Sequence, residues 1–284
     1  MNLNKVVSVA NMRESDAKTI AERTTSAELM RRAAQGIFDA VSFRSRTAIV
    51  CGSGNNGGDG YALACILLEH GVTPTLFRVT DRFSKDGLYY YQTAKSMGAD
   101  EGSLSIPGAL EGFDIVVDCI LGTGFRGTPE GAVREAIGQI NDCSAFVVSA
   151  DINSGLNGDN GIAECAVRSD VTVSIGYLKT GMFLGDAPEY IGQLRNADIG
   201  IELVRDEYLL IDFGQLHLFE GYGSEVLSPE EFYERTGFAP EECDVPRVLA
   251  ELSAEERKPY VIKTERSAVI ADIRFVYFCA DYIF

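Results

Sequence analysis

The sequence of 284 residues contains no tryptophan and only two histidines, His70 and His217. Its seven cysteines lack the paired CxxC spacing of zinc-binding segments. A zinc site is therefore not expected, and a catalytic histidine would have to be one of these two. The odd number of cysteines and the apolar surroundings of several of them favour buried, reduced thiols.

Basic residues are also in short supply. Lys and Arg number 25 against 42 Asp and Glu, which gives a formal net charge of −17. Nucleic acids and anionic membrane surfaces require a basic face on their protein partner, so neither is expected to bind here. A small anionic ligand needs only local donors and is not excluded.

Long apolar runs are missing as well. No stretch reaches membrane-spanning length, and residues 1–16 lack the apolar core of a secretory signal. These absences predict a cytoplasmic protein without a membrane span.

What the chain does contain is a regular alternation of apolar strands and amphipathic helices. Such an alternation predicts an α/β fold with a parallel sheet that is covered on both faces. A helical arm over residues 12–41, interrupted at Thr25 and Ser26, is expected to pack on this sheet. Strands are predicted near 47–51, 74–79, 114–118, 145–150, 170–175 and 193–199, with helices at 58–70, 86–97 and 130–140.

The character of the sequence changes after about residue 205. A Ser-Pro-Glu-Glu helix start follows Leu227, and residues 260–263, 267–271 and 273–278 have the composition of short strands. We predict a domain over residues 1–205 and a small C-terminal extension over residues 206–284.

A glycine-rich turn, Gly52-Ser-Gly-Asn-Asn-Gly-Gly-Asp-Gly60, joins the first predicted strand to its helix. Glycines let the backbone approach a ligand closely, and a helix that begins there directs free N–H groups at an anion such as phosphate. Asn55, Asn56 and Asp59 add oxygens that suit a hard cation and donors that suit a nucleotide. The turn also fits the GxGxxG pattern of dinucleotide-binding proteins, a weak signal when alone, and a turn without a ligand is the alternative.

Two further predicted strands end in an aspartate that precedes a glycine-containing loop. These aspartates are Asp118 and Asp151, and Ser154 follows shortly after the second. Ligands of open α/β sheets bind beyond the carboxyl ends of the strands, so we expect Asn56, Asp118, Asp151 and Ser154 to lie together there. Oxygen ligands of this kind favour K⁺, Na⁺ or Mg²⁺ over zinc.

Several other side chains could hold a phosphate. Thr123 and Arg126 offer a hydroxyl and a guanidinium, although Arg126 could equally be a solvated surface charge. Lys179 and Lys85 could also reach a phosphate, and a solvated loop lysine is at least as good an interpretation of either one.

Taken together, these segments resemble the NAD(P)H-hydrate epimerase family, the YjeF N-terminal domain. The resemblance implies a three-layer α/β/α, Rossmann-like fold with a mostly parallel sheet. It also implies a homodimer that binds K⁺ and epimerises hydrated NADH or NADPH at C6, which is a cofactor-repair reaction. The matching motifs, in the family's order over about residues 10–203, are Met12-Arg-Glu-Ser-Asp16, the loops 52–60 and 118–127, Asp151-Ile-Asn-Ser-Gly155, Lys179 and Asp198-Ile-Gly-Ile201.

The resemblance also implies roles for individual residues. Asn56, Asp118 and Ser154 are the implied ligands of K⁺. Asp151 lies against the reacting part of the substrate, and because a proton must be given and taken beside the C6 hydroxyl, Asp151 is the candidate acid–base group. The implied substrate contacts are Asn55, Asn56, Gly57, Gly58, Asp59, Gly122, Thr123, Gly124, Phe125, Arg126, Gly127, Thr128 and Asp151.

Two positions depart from the family pattern. Asn153 stands in place of a proline, which frees a backbone donor and should loosen the turn that carries Ser154. Arg31 and Arg32 stand where the family often has an acidic residue.

Two functions of other classes stay open alongside the epimerase. One is a non-catalytic binding or scaffold protein on the same fold, and the other is a redox enzyme that binds intact NAD through the glycine-rich turn. The extension is too short for the dehydratase domain that follows in many family members. Residues 228–232 and 260–272 nevertheless resemble an internal stretch of that domain, so the extension could be its remnant.

Overall fold

A computed structural model describes residues 5–43, 46–221, 223–263, 265–272 and 275–283. None of the helices in these segments has the length and apolar character that a membrane span requires. The helices are α1 (Val9–Glu22), α2 (Ser26–Ala40), α3 (Asn55–Glu69), α4 (Lys85–Met97), α5 (Gly131–Asp142), α6 (Ala187–Tyr190), α7 (Leu216–Gly221), α8 (Pro229–Thr236) and α9 (Val245–Glu256). The strands are β1 (Lys5–Val7), β2 (Thr47–Cys51), β3 (Thr75–Arg78), β4 (Asp100–Gly102), β5 (Ile115–Cys119), β6 (Phe146–Ala150), β7 (Ser169–Ile175), β8 (Leu178–Lys179), β9 (Ile191–Ala197), β10 (Tyr208–Leu210), β11 (Glu225–Leu227), β12 (Tyr260–Lys263), β13 (Ser267–Ala271) and β14 (Val276–Ala280).

Seven strands form an entirely parallel sheet in the order β4-β3-β2-β5-β6-β7-β9. Strand β2 is buried on both faces, as a sheet between two helical layers requires. Ile49 and Cys51 belong to the core shared with α2 and α3, whereas Ala48 and Val50 belong to the core shared with α5. The predicted α/β fold with a covered parallel sheet is confirmed.

The predicted helices and strands of this region are found, with two notable differences. Helix α3 begins at Asn55 rather than near residue 58, so both asparagines lie in its first turn. Strand β4 was not predicted, because its sequence Asp-Glu-Gly has no apolar alternation and two of its three residues are exposed at the sheet edge.

A second, mixed sheet has the order β11-β12-β13-β14-β10-β1-β8. The helix predicted after Leu227 is α8, which starts with a capping box formed by Ser228 and Glu231. The strands predicted at 260–263 and 267–271 are confirmed as β12 and β13. The third begins at Val276, and residues 273 and 274 of the predicted range lie outside the described residues.

The second sheet takes strands from both sides of residue 205. Strand β1 pairs with β10 on one edge and with β8 on the other, so the two-residue strand that ends at Lys179 is held within this sheet. The side chains of the second sheet share a core with β9 and with the segment that follows β6. The hydroxyl of Tyr282, which follows β14, donates to the carbonyl oxygen of Met182, which follows β8, at 2.8 Å. The domain boundary at residue 205 stays a prediction.

The strand order of the parallel sheet reverses between β2 and β5. From β2 the chain proceeds outward through β3 to β4, and from β5 it proceeds the other way through β6. The loops that follow β2 and β5 are in contact, since the Gly52 N–H donates to the Cys119 carbonyl oxygen at 3.0 Å. Open α/β sheets bind ligands in the crevice at such a reversal, so this edge is where a site is expected.

Candidate functional site

A cavity of about 480 Å³ lies at the strand-order reversal. Its volume falls within the range of small-molecule sites. Its walls come from the loops after β2, β5 and β6 and from helices α1 and α2. Of the residues that the sequence assigned to the substrate, those that line the cavity are Asn55, Asn56, Asp59, Gly122, Thr123, Gly124, Phe125 and Asp151.

The remaining predicted contacts lie outside the cavity lining. Gly57 and Gly58 are buried within α3. Arg126 is exposed and pairs with Asp159 at 2.7 Å, and the Thr128 hydroxyl donates to Glu164 at 3.1 Å. Apart from Asp151, the predicted contacts that line the cavity therefore come from the start of α3 and from the first half of the 122–128 loop. Gly127 belongs to the other half, and Lys85 is an exposed residue at the start of α4.

Asp151 follows β6 directly and is held by contacts to two loops. Its backbone is left-handed, with a φ of 66°. One carboxylate oxygen accepts from the Lys179 ammonium at 2.6 Å, and the other accepts from the backbone N–H and hydroxyl of Thr123 at 3.0 and 3.1 Å. An unusual backbone conformation that surrounding contacts enforce is common at functional sites. The carboxylate keeps 16% exposure, so it faces the cavity while its partners fix its direction.

Lys179 is fully buried behind Asp151. Besides Asp151, its ammonium donates to the Ile175 carbonyl oxygen at 2.8 Å and to the Ser174 hydroxyl at 3.2 Å. This environment fits neither a solvated loop lysine nor direct contact with a phosphate. A buried ammonium with three oxygen partners instead supplies a fixed positive charge to one aspartate.

Two of the three implied cation ligands, Asn56 and Ser154, contact the backbone of Leu121, and the third, Asp118, contacts Ser154. The Asn56 amide donates to the Leu121 carbonyl oxygen at 2.9 Å, and the Ser154 hydroxyl accepts from the Leu121 N–H at 2.8 Å. Asp118 accepts from the Ser154 N–H and the Ser149 hydroxyl, both at 2.9 Å. Side chains from three strand ends therefore converge, as the parallel topology predicts.

This cluster has the donor set that a hard cation prefers. Asp118 is completely buried, which raises the pKa of its carboxyl, and hydrogen bonds from Ser154 act in the opposite direction. The Asn56 side chain is 6% exposed, and its Oδ1 has no hydrogen-bond partner among the described residues. An unpartnered buried oxygen is costly, and a bound cation would satisfy it while offsetting the charge of the buried carboxylate. The residues present therefore fit K⁺.

Two further aspartates, Asp59 and Asp16, line the cavity, and only Asp59 was predicted as a substrate contact. Burial raises the pKa of Asp59 well above its usual range, and the charges of Asp151 and Asp16 add to this effect. Asp16 lines the cavity from α1, and burial raises its pKa to about 6. From the sequence, Asp16 is part of a family motif, and the helical arm that carries it is expected only to pack on the sheet. The helical arm also forms a wall of the cavity, through residues that include Met12, Asp16 and Met30.

Asn153 tightens the turn that carries Ser154, contrary to the expectation of a looser turn. Its buried amide donates to the Val167 carbonyl oxygen, the Ser169 hydroxyl and the Tyr190 carbonyl oxygen, each at 2.9 Å. Its Oδ1 accepts from the Thr172 hydroxyl at 2.6 Å. Four hydrogen bonds replace the conformational restriction that a proline would supply. Arg31, at the other position that departs from the family pattern, also has a structural partner, since it pairs with Glu69 of α3 at 2.9 Å.

The turn before α3 depends on the absence of a side chain at Gly52. A Cβ atom there would lie 2.0 Å from the Ile120 carbonyl oxygen, whereas nothing lies within 4 Å of a Cβ atom at Gly54. We expect Gly52→Ala to lower the free energy of unfolding by about 3 kcal/mol, because the backbone must move to admit the methyl group. Gly54→Ala is the matched control, with an expected change within about 0.5 kcal/mol. Urea unfolding of both variants measures the difference, and equal stabilities would contradict the packing.

The fold and cavity define an α/β protein with a ligand site where the strand order of a parallel sheet reverses. The family described as YjeF-related protein N-terminus matches residues 26–181. The chain belongs to this family, the YjeF N-terminal or NAD(P)H-hydrate epimerase family.

Curated relatives agree with this assignment. The chain is 32% identical over 200 residues to the NAD(P)H-hydrate epimerase of Limosilactobacillus fermentum, a match that covers 68% of this chain and 96% of that protein. It is 33% identical over 208 residues to the Bifunctional NAD(P)H-hydrate repair enzyme of Leishmania major, which covers 69% of this chain but only 37% of that protein. The crystal structure of yeast ynu0 has a TM-score of 0.55 at 20% identity, covers 68% of this chain and 87% of that one, and supports the fold.

Proposed function

We propose that this protein interconverts the R and S forms of hydrated NADH or NADPH at C6. The family membership supports an epimerase, and the observation that carries the proposal is the Asp151 carboxylate. It faces the cavity while Lys179 and Thr123 hold it at 2.6, 3.0 and 3.1 Å. A group fixed in this way can exchange a proton with the hydroxyl of a bound substrate without first reorganising.

Epimerisation at C6 requires that the bond from C6 to the hydroxyl oxygen break and re-form, or that the ring open and close. Either route needs a proton to be given and taken beside that oxygen. Asp151 is the acid–base group in this proposal. Thr123 and Lys179 orient its two oxygens.

The substrate's anionic phosphates must bind to a protein with a net charge of −17. The first turn of α3 supplies backbone N–H groups at the cavity, which suit phosphate oxygens. Asn56, Asp118 and Ser154 would hold K⁺ nearby. The bound cation supplies a positive charge that offsets the buried carboxylate and the phosphates.

We expect K⁺ to raise the melting temperature of the wild type, because a ligand that binds only the folded state stabilises it. The free energy of unfolding rises by about 2.7 kcal/mol when the K⁺ concentration is 100 times the dissociation constant. Asn56→Ala should abolish this shift, since it removes the unpartnered Oδ1. Asn141→Ala is the matched control, because Asn141 also donates to a backbone carbonyl at 2.9 Å but lies on α5. Thermal melts in KCl and in choline chloride of equal ionic strength measure the effect, and an unchanged shift in Asn56→Ala would contradict the assignment.

A non-catalytic binding protein on the same fold is the competing function. It would keep the cavity and the cation ligands but would not need the fixed carboxylate. Incubating the wild type with one purified hydrate epimer, with and without K⁺, distinguishes the two by chromatography. The epimerase proposal expects the other epimer to form faster than it does spontaneously, and no acceleration would favour binding alone. The homodimer and the cytoplasmic location stay predictions.

A further inference from the structure

Besides Asp151, aspartates that the reaction described above does not use line the cavity, and one of them is Asp16. Asp16 lines the same cavity as Asp151 but belongs to α1, whereas Asp151 follows β6. Epimerisation at one carbon removes a hydroxyl from one face of the ring and returns it to the other. Two proton-transferring groups that approach from different walls meet this requirement better than one group can.

Helix α1, which carries Asp16, is held in place by contacts near its start. The Val9 N–H at the start of the helix donates to Asp159 at 2.8 Å, and the Ser8 N–H donates to Glu207 at 2.6 Å. Further along, the Asn11 amide donates to the Arg205 carbonyl oxygen at 2.9 Å. These contacts fix the position of the helix backbone that carries Asp16, and a group on a rigid element suits proton transfer to a bound substrate.

The environments of Asp16 and Asp151 differ in their hydrogen-bond partners. Asp151 accepts from the buried ammonium of Lys179 and from the backbone N–H and hydroxyl of Thr123. The Asp16 carboxyl has no hydrogen-bond partner among the described residues, and burial raises its pKa to about 6. Lys179 opposes this shift and the charge of Asp151 adds to it. A carboxyl group without hydrogen-bond partners and a carboxylate held by a buried ammonium, in one cavity, can take different roles as acid and base.

We propose that Asp16 is the second acid–base group of the epimerisation, acting together with Asp151. This inference rests on the proposed function. In one direction the Asp16 carboxyl gives its proton to the C6 hydroxyl, the bond from C6 to oxygen breaks, and water leaves with the bonding electron pair. The N1 lone pair forms a double bond to C6. A water molecule then adds to the opposite face of C6, the double-bond electrons return to N1, and Asp151 takes the proton of that water.

The reaction in the reverse direction uses the two carboxyl groups in exchanged roles. The active enzyme therefore carries one proton on the pair, and a further turnover in the same direction requires that proton to return from Asp151 to Asp16 through solvent. Loss of this proton at higher pH should stop the reaction. We expect kcat/KM to fall tenfold per pH unit above about pH 6. The charged groups that line the same cavity as Asp16 are Arg13, Asp59, Asp86 and Asp151, with Lys179 behind Asp151.

The test is the rate and pH profile of Asp16→Asn, with epimer ratios measured by chromatography. We expect kcat to fall by about 10²-fold or more while substrate affinity changes by less than threefold, and the decline above pH 6 to disappear from the residual rate. Asp16→Glu should restore part of the rate. Glu22→Gln, which removes an exposed carboxylate at the end of the same helix, is the matched control and should behave as wild type.

The outcomes separate this inference from the proposed function. If Asp16→Asn kept wild-type activity, the inference would be overturned and the proposed function would stand. The same holds if the pH profile changed in Asp59→Asn but not in Asp16→Asn. No acceleration by the wild type would overturn both proposals. Unfolding does not explain a loss of activity, because burial disfavours the ionised form of Asp16. Asp16→Asn should therefore be at least as stable as wild type above pH 6.

Discussion

Replacing Asp151 with Asn should lower the rate of epimerisation by a factor of about 10² to 10⁴, the usual contribution of a positioned acid–base group. Asn keeps the size of the side chain and can still accept from Thr123. It also tolerates the left-handed backbone at this position better than most residues, so the turn should be preserved. The carboxylate that exchanges a proton is lost, and with it the reaction, while the cavity that binds the substrate remains.

The rate and the affinity must be measured separately for this variant. Chromatography of the two epimers gives the rate, and calorimetric titration with the hydrate gives a dissociation constant that we expect to change by less than threefold. Asp142→Asn, at the exposed end of α5, is the matched control and should keep full activity. Wild-type turnover by Asp151→Asn would remove this residue from the reaction.

Replacing Phe278 with Ala should lower the free energy of unfolding by about 3–5 kcal/mol, because a fully buried aromatic ring leaves a cavity when it is removed. Phe278 lies in β14 of the C-terminal extension with no exposed surface. Its ring packs on Phe183 and Tyr208, with centroid distances of 5.3 and 5.4 Å. A loss of this size is a large part of the stability of an ordinary domain.

The control for this prediction is Phe238→Ala, since Phe238 is 51% exposed in the same extension. Its removal should change the stability by no more than about 0.5 kcal/mol. Chemical unfolding monitored by circular dichroism measures both variants. If Phe278→Ala were as stable as Phe238→Ala, the extension would not share a core with the rest of the chain.

The extension also bears on the site itself. Strand β10 pairs with β1, and Val7 of β1 lies opposite Lys179 of β8. Strand β1 leads directly into α1, which carries Asp16. The extension therefore supports the strand and the helix that position two charged groups of the site, and Phe278→Ala should lower activity as well as stability.

The parallel sheet was predictable because β2, β3 and β5 are short apolar runs that each precede a helix. The convergence of Asn56, Asp118 and Ser154 was predictable for the same reason, since the carboxyl ends of parallel strands meet at one edge. Strand β8 has two residues and no such pattern, and its sequence gives no sign that it joins β1. Pairing between distant short strands depends on tertiary contacts that local patterns do not encode.

The roles of Lys179 and Asp16 could not be predicted for a related reason. A lysine in a loop sequence is usually solvated, and only the packing of β8 shows that the ammonium of Lys179 is buried against Asp151. Asp16 lies on a helix whose apolar spacing indicates packing but not which of its polar residues face a cavity. The sequence identified the strand ends that carry the site, whereas the helical wall required the structure.

The most direct test of the central claim starts from each purified epimer in separate reactions with K⁺. The account predicts that the wild type brings both mixtures to the same ratio of R and S hydrates, much faster than the spontaneous reaction, and that Asp151→Asn leaves both at the spontaneous rate. Chromatographic time courses from the two starting points measure this convergence. Time courses of the wild type that coincide with those of buffer alone would contradict the claim.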